Sequence, residues 1–194
     1  MKPRRIGILG GSFDPIHWGH IRLAQAARRQ LKLDQVIFIP AYVSPFKKSR
    51  TINSADHRLQ MVRLAVKPYP WARVSDIEIK RKKVSYTYET LKAMRKALGS
   101  KTELFLILGS DAFRFFSGWK RSSDILKLAH IAVARRAGDT WAGFPSVPYQ
   151  KVAMKPVLIA STQLRRPASQ ASLKSKVPGP VAGYIKKSLN RLTS

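Results

Sequence analysis

Short, unbroken apolar runs recur along the chain, each separated from the next by enough residues to form a helix. Residues 5–9, Gln35–Pro40, 104–108 and His130–Ala134 read as strands, with 74–79 and 157–160 as two more. Ile6–Leu9 and the run Leu104-Phe105-Leu106-Ile107-Leu108 lack polar alternation, which predicts burial on both faces of a parallel sheet. Between the runs the periodicity becomes helical. Residues 21–31 are rich in Ala, Leu, Gln and Arg, which favour helix. Ser54 reads as an N-cap, with Asp56 in the first turn and Leu59, Val62 and Val66 as a core stripe. Thr87 reads as a second N-cap, ahead of Tyr88, Leu91, Met94 and Leu98 at core spacing. Ser122–Leu128 and 181–189 complete the helices, while 41–53 and 137–149 read as loops. Strand–helix alternation predicts an α/β fold, a doubly wound, mostly parallel sheet with helices on both faces. At 194 residues the chain reads as one domain, 1–194, with 160–194 as a C-terminal helical part.

One junction concentrates candidate chemistry. The first strand runs into Gly10-Gly11-Ser12-Phe13-Asp14-Pro15-Ile16-His17-Trp18-Gly19-His20 and then a helix, so this stretch belongs at the carboxyl edge of the sheet, where ligands bind. Gly10 and Gly11 offer backbone angles closed to other residues and let main-chain N–H groups approach an anion. The helix start adds unpaired N–H groups and partial positive charge. His17 and His20, three apart, fall on one helical face and suit a polyphosphate whose charge grows during reaction. Neither a Gly-rich turn nor two histidines near a helix start is specific alone, and no third ligand completes a metal site.

Further candidates fall at other strand ends. Asp111, after Gly109-Ser110, is placed either to accept hydrogen bonds from ribose hydroxyls or to cap the next helix. Arg135 and Arg136 follow the strand at 130–134, and arginine there suits a phosphate. Ser161, Thr162 and Arg165 share a late helix start and form a second anion cradle, shortened by Pro167. Lys47, Lys48 and Arg50 make the loop at 41–53 a candidate lid over a triphosphate. Trp119, behind Phe115 and Phe116, reads on its own as core.

Charge changes the picture less than its size suggests. The net charge is +27, from 37 Lys and Arg against 10 Asp and Glu, and no acidic residue follows Asp139. Such a field attracts polyanions. The basic residues are scattered, however, and no nucleic-acid-binding motif appears, so we read the excess as a solvated surface that steers anionic substrates, with no specific nucleic-acid partner. No cysteine is present, in keeping with a reducing compartment. The first apolar run is too short for a secretory signal, and none approaches the roughly 20 residues of a membrane span. A cytoplasmic location is expected, and a homo-oligomer stays open.

The string Gly-Ser-Phe-Asp-Pro-Ile-His-x-Gly-His resembles the signature of nucleotidyltransferases that carry the His-x-Gly-His motif, and within them the bacterial nicotinate-nucleotide adenylyltransferases. Ala55-Asp56-His57-Arg58-Leu59, Ser85-Tyr86-Thr87, Leu108-Gly109-Ser110-Asp111 and Ser161-Thr162-x-x-Arg165 extend the resemblance. It implies a Rossmann-like fold and adenylyl transfer from ATP, with Mg2+, to nicotinate mononucleotide. It implies ATP contacts at Gly10, Gly11, Ser12, Phe13, His17, His20, Gly109, Asp111, Ser161, Thr162 and Arg165. Acceptor contacts are implied at Lys47, Thr87, Trp119 and Arg135, with Trp119 stacking on the pyridine ring. His17, His20, Lys47 and Arg165 are the expected catalytic set. Two positions depart from the family: Phe46 replaces a histidine and Ala160 a serine. The rival readings are another phosphorylated acceptor, nicotinamide mononucleotide or phosphopantetheine, and a basic nucleic-acid-binding module.

Overall fold

The computed structural model describes residues 3–45, 51–135, 139, 143–154, 164 and 170–190. Six strands form one sheet in the order β3-β2-β1-β4-β5-β6, and every pair is parallel. They are β1 (Arg5–Gly11), β2 (Gln35–Pro40), β3 (Ala72–Val74), β4 (Glu103–Gly109), β5 (His130–Ala134) and β6 (Gln150–Val152). The chain winds outward from β1 to one edge and from β4 to the other. Between those two central strands the order reverses, and a crevice opens at such a point beyond the carboxyl ends of the strands.

Strand residues alternate between two cores because successive side chains leave opposite faces. Leu9, Phe38, Phe105, Ile107 and Ala132 face a core shared with α1 (Trp18–Gln30) and α2 (Ala55–Val66). Val177 and Val181, from the region of helices Gln170–Lys176 and Gly179–Asn190, join the same core. Ile8, Ile39, Leu106, Leu108 and Val133 face the other core, with Leu91 and Met94 of α4 (Thr87–Leu98) and Ile125 of α6 (Ser122–Leu128). Both layers of a doubly wound fold are therefore present, as expected. Among the described residues no helix is long and apolar enough to cross a membrane.

Three local expectations need correction, and one strand is added to them. The strand expected at 74–79 ends at Val74, and α3 (Ile77–Arg81) follows. Apolar and polar residues alternate there as in a strand, but Lys80 N–H bonds to the Asp76 carbonyl at 2.8 Å and the Lys80–Asp76 ion pair closes the same turn at 3.2 Å. The sixth strand falls at Gln150–Val152, where only Val152 is buried and the apolar signal is a single residue. Thr87 is the first helical residue of α4 rather than its cap, which is Tyr86. Asp111 sits inside the first turn of α5 (Ser110–Phe113), whose cap is Gly109. The strand expected at 157–160 lies outside the described residues.

Gly7 shows what close packing demands of β1. A Cβ there would lie 2.8 Å from the terminal methyls of Ile107 and Leu33, both buried. Gly7→Ala is expected to destabilise the fold by about 1 kcal/mol, the low end for overpacking because both clashing atoms end flexible side chains. Urea unfolding checks it, and catalytic constants should stay at the wild-type level.

Candidate active site

The crevice between β1 and β4 is a cavity of about 1030 Å³, at the upper end of the roughly 300–1,000 Å³ usual for small-molecule sites. All eleven of the expected site residues that are described border it. At one end are Gly10, Gly11, Ser12, Phe13, His17 and His20; on the far side of β1 stand Gly109, Asp111 and Arg135; Thr87 and Trp119 complete the wall. Lys47, Ser161, Thr162 and Arg165 lie outside the described residues.

The histidine end is built by the cap of α1. His17 is that cap, with extended backbone, and His20 is the third helical residue. The two do not share one helical face; capping geometry brings their rings together, with centroids 3.8 Å apart. His17 N–H donates to His20 Nδ1 at 3.2 Å, so a neutral His20 carries its proton on Nε2 and can donate from there. His17 is buried, and Phe13 packs edge-on to the His20 ring at 5.0 Å. Both imidazoles thus border the cavity beside the unpaired N–H groups of a 13-residue helix.

The glycines act through space rather than through backbone angles. Gly10 and Gly11 are ordinary strand residues, and it is Phe13 that takes a left-handed angle, φ 47°. A Cβ on Gly10 would meet nothing within 4 Å, and that open space is the cavity. A Cβ on Gly11 would press on the Phe13 ring at 3.2 Å.

Beneath this loop lies a buried guanidinium that the sequence reading gave no task. Arg58 of α2, 1% exposed, donates from Nη1 to the carbonyls of Ser12 (2.8 Å) and Ala41 (2.6 Å) and from Nη2 to that of Tyr42 (3.0 Å). Its Nε reaches the carbonyl of Asn53 at 3.2 Å. Burial pulls the Arg58 guanidinium below its ordinary value, and the nearby Asp14 carboxylate acts in the opposite direction. Asp14, fully buried, accepts from Ile52 N–H at 2.8 Å and from Asn53 N–H and Nδ2 at 3.3 and 2.6 Å.

The opposite end is formed by the start of α4. Thr87 presents its first turn, and Ser85, Glu78 and Thr90 line the wall behind it. Trp119 is half-buried against the α4-side core, 5.6 Å from Phe116, and also borders the cavity, so its core reading and its ligand-facing reading coexist. Lys120 Nζ sits 4.4 Å over the Tyr86 ring and the Arg121 guanidinium 3.9 Å over Tyr88, which ties the Trp119 segment to the α4 start. Among the described residues, no three His, Asp or Glu side chains gather as metal ligands.

A six-stranded parallel sheet whose switch point carries paired histidines at a helix cap defines a nucleotide-binding α/β protein of the nucleotidyltransferase kind. Residues 8–167 match the family described as cytidylyltransferase-like, and the chain belongs to that family. It is 38% identical over 197 residues, 96% of this chain and 97% of the relative, to the "Probable nicotinate-nucleotide adenylyltransferase" of Dehalococcoides mccartyi. A protein of the same name from Carboxydothermus hydrogenoformans is 48% identical over 138 residues, 71% of this chain and 68% of the relative. Among solved structures, the Plasmodium falciparum nicotinic acid mononucleotide adenylyltransferase complexed with NaAD superposes with a TM-score of 0.79 over 95% of both chains, at 17% identity. That likeness concerns the fold.

Gly10→Ala is expected to fold with wild-type stability, unlike Gly7→Ala on the same strand, and to raise KM for ATP by about tenfold because the methyl takes ligand space. Thermal melting and steady-state kinetics check the two halves. An unchanged KM would mean that no ligand occupies this end.

Proposed function

We infer that this chain is a nicotinate-nucleotide adenylyltransferase: it transfers the adenylyl group of ATP to nicotinate mononucleotide and yields nicotinate adenine dinucleotide and pyrophosphate, a step of NAD biosynthesis. The observation that carries the reading is a single cavity running from the imidazole pair at the α1 cap to Thr87 and Trp119 at the α4 start. It brings two substrates to one place. A phosphate oxygen of the mononucleotide attacks the α-phosphorus in line. The bond from that phosphorus to the bridging oxygen breaks, and pyrophosphate leaves with the electron pair. The attacking phosphate is already ionised, so neither a protein nucleophile nor a general base is needed. Catalysis is then alignment plus stabilisation of negative charge on the α-phosphate and the leaving group.

The residues divide accordingly. Gly10, Gly11, Ser12 and Phe13 shape the triphosphate end, and His17 and His20 donate to phosphate oxygens, His20 through Nε2. Lys47, Ser161, Thr162 and Arg165 supply the remaining phosphate contacts. Gly109 and Asp111 hold the ribose of ATP. Thr87 and Trp119 receive the pyridine carboxylate and ring, because a helix N-terminus suits a carboxylate, while Arg135 and Lys47 take the acceptor phosphate. ATP enters as its complex with a divalent cation, in our reading Mg2+, which neutralises phosphate charge. The chain acts as one domain, 1–194, with 160–194 as its helical closing part, in the cytoplasm. A homo-oligomer is compatible with this scheme, and no specific nucleic acid is needed.

The test is pyrophosphate release from ATP with each of three acceptors. The highest initial rate is expected with nicotinate mononucleotide, and a higher rate with nicotinamide mononucleotide or phosphopantetheine would overturn the acceptor assignment. His20→Ala should keep its melting temperature and lose about 10²–10³ in kcat, the range for removing one preorganised donor.

A further inference from the structure

Glu78 is a buried acid at the acceptor end of the cavity that the scheme above leaves without a task. It sits on α3, is 6% exposed, and borders the cavity together with Ser85, Thr87 and Thr90. The Thr90 hydroxyl donates to Glu78 Oε1 at 2.5 Å, and Arg81 Nη2 donates to the same hydroxyl oxygen at 3.0 Å. Ser85 lines the same wall, and its hydroxyl oxygen accepts Tyr42 N–H at 3.0 Å. Ser85 N–H reaches the Val43 carbonyl at 2.8 Å, beside the parallel bridge between Val43 and Val84. The carboxyl therefore joins α3 to the fourth residue of α4, beside a Ser85 that joins the approach to α4 to the exit of β2.

Stability alone does not call for such a residue. Burial pushes the Glu78 carboxyl up from its ordinary value, against the hydroxyls of Thr90 and Ser85 and the charge of Arg81, so its ionised form is penalised by the site. An apolar side chain of similar volume would fill this space at no electrostatic cost. What the carboxyl supplies is direction: it takes the hydroxyl proton of Thr90, three residues after Thr87. We propose that Glu78 is a positioning residue for the acceptor, holding Thr90 so that the first turn of α4, at Thr87, keeps a fixed place on the cavity wall. This rests on the reading that the mononucleotide occupies the Thr87 and Trp119 end.

The experiment is steady-state kinetics of Glu78→Ala, Thr90→Val and Glu78→Gln with both substrates varied, alongside thermal melting. Glu78→Ala should raise KM for nicotinate mononucleotide by about tenfold, the size of one lost buried hydrogen-bonded contact, and leave KM for ATP within about twofold. Thr90→Val should move the same constant in the same direction. Glu78→Gln, which keeps one acceptor oxygen, should recover most of the loss. Combining Glu78→Ala with Thr90→Val should add little to the first change, because both remove one contact. Equal rises in both KM values, or a folded Glu78→Ala within about twofold of wild type in every constant, would overturn the proposal. If Glu78→Ala fails to fold, Thr90→Val decides by the same split. A wild type that prefers another acceptor removes the functional reading instead, and the split is then measured with that acceptor.

Discussion

A guanidinium sealed under the sheet rim holds the active site in shape. Arg58 binds four backbone carbonyls from three stretches of chain: the glycine loop at Ser12, the exit of β2 at Ala41 and Tyr42, and the approach to α2 at Asn53. Asp14 closes the arrangement from the other side by gathering the N–H groups of Ile52 and Asn53. A buried cation is tolerable only when its donors are satisfied and a counter-charge stands near, and both conditions hold here. The consequence reaches the chemistry. Ser12 precedes Phe13, whose ring meets His20, and His20 in turn accepts from His17. The imidazole pair is thus referenced to the sheet through one side chain on α2.

The same logic of fixed reference recurs at the far end. There Ser85 joins β2's exit to the approach to α4 and the Glu78 carboxyl joins α3 to Thr90, as Arg58 joins that exit to the glycine loop. Tyr42 takes part in both, its carbonyl bonded to Arg58 and its N–H to Ser85. The chain just after β2 therefore stands between the two ends of the cavity. A reaction that needs two substrates aligned within a few tenths of an ångström gains from such a shared wall.

The strands and the signature junction were legible because they depend on local chemistry: unbroken apolar runs for the central strands, and glycine, histidine and a helix start in sequence for the site. Burial on both faces of the sheet also followed from the unbroken runs, and Leu106 lies on one side with Ile107 on the other. What escaped depends on partners distant in sequence. Arg58 reads as an ordinary helix arginine until Ser12 and Ala41 close over it. Glu78 reads as part of an alternating strand until α3 forms and Thr90 approaches. Gly10 was read for its backbone freedom, but the fold uses its missing side chain. The strand at Gln150–Val152 has one buried residue and owes its place to pairing with β5.

On the proposed function, one cavity at the reversal of strand order holds ATP at the imidazole end and the acceptor at the α4 end. Hydrogen exchange on the whole chain, with and without bound ligand, reads this arrangement segment by segment. Nicotinate adenine dinucleotide should slow exchange both in the segment from Gly10 to His20 and in that from Ser85 to Leu91, whereas ATP alone should slow only the first. Protection confined to one segment in the presence of the dinucleotide, or located away from both, would mean that the two substrates do not share this cavity.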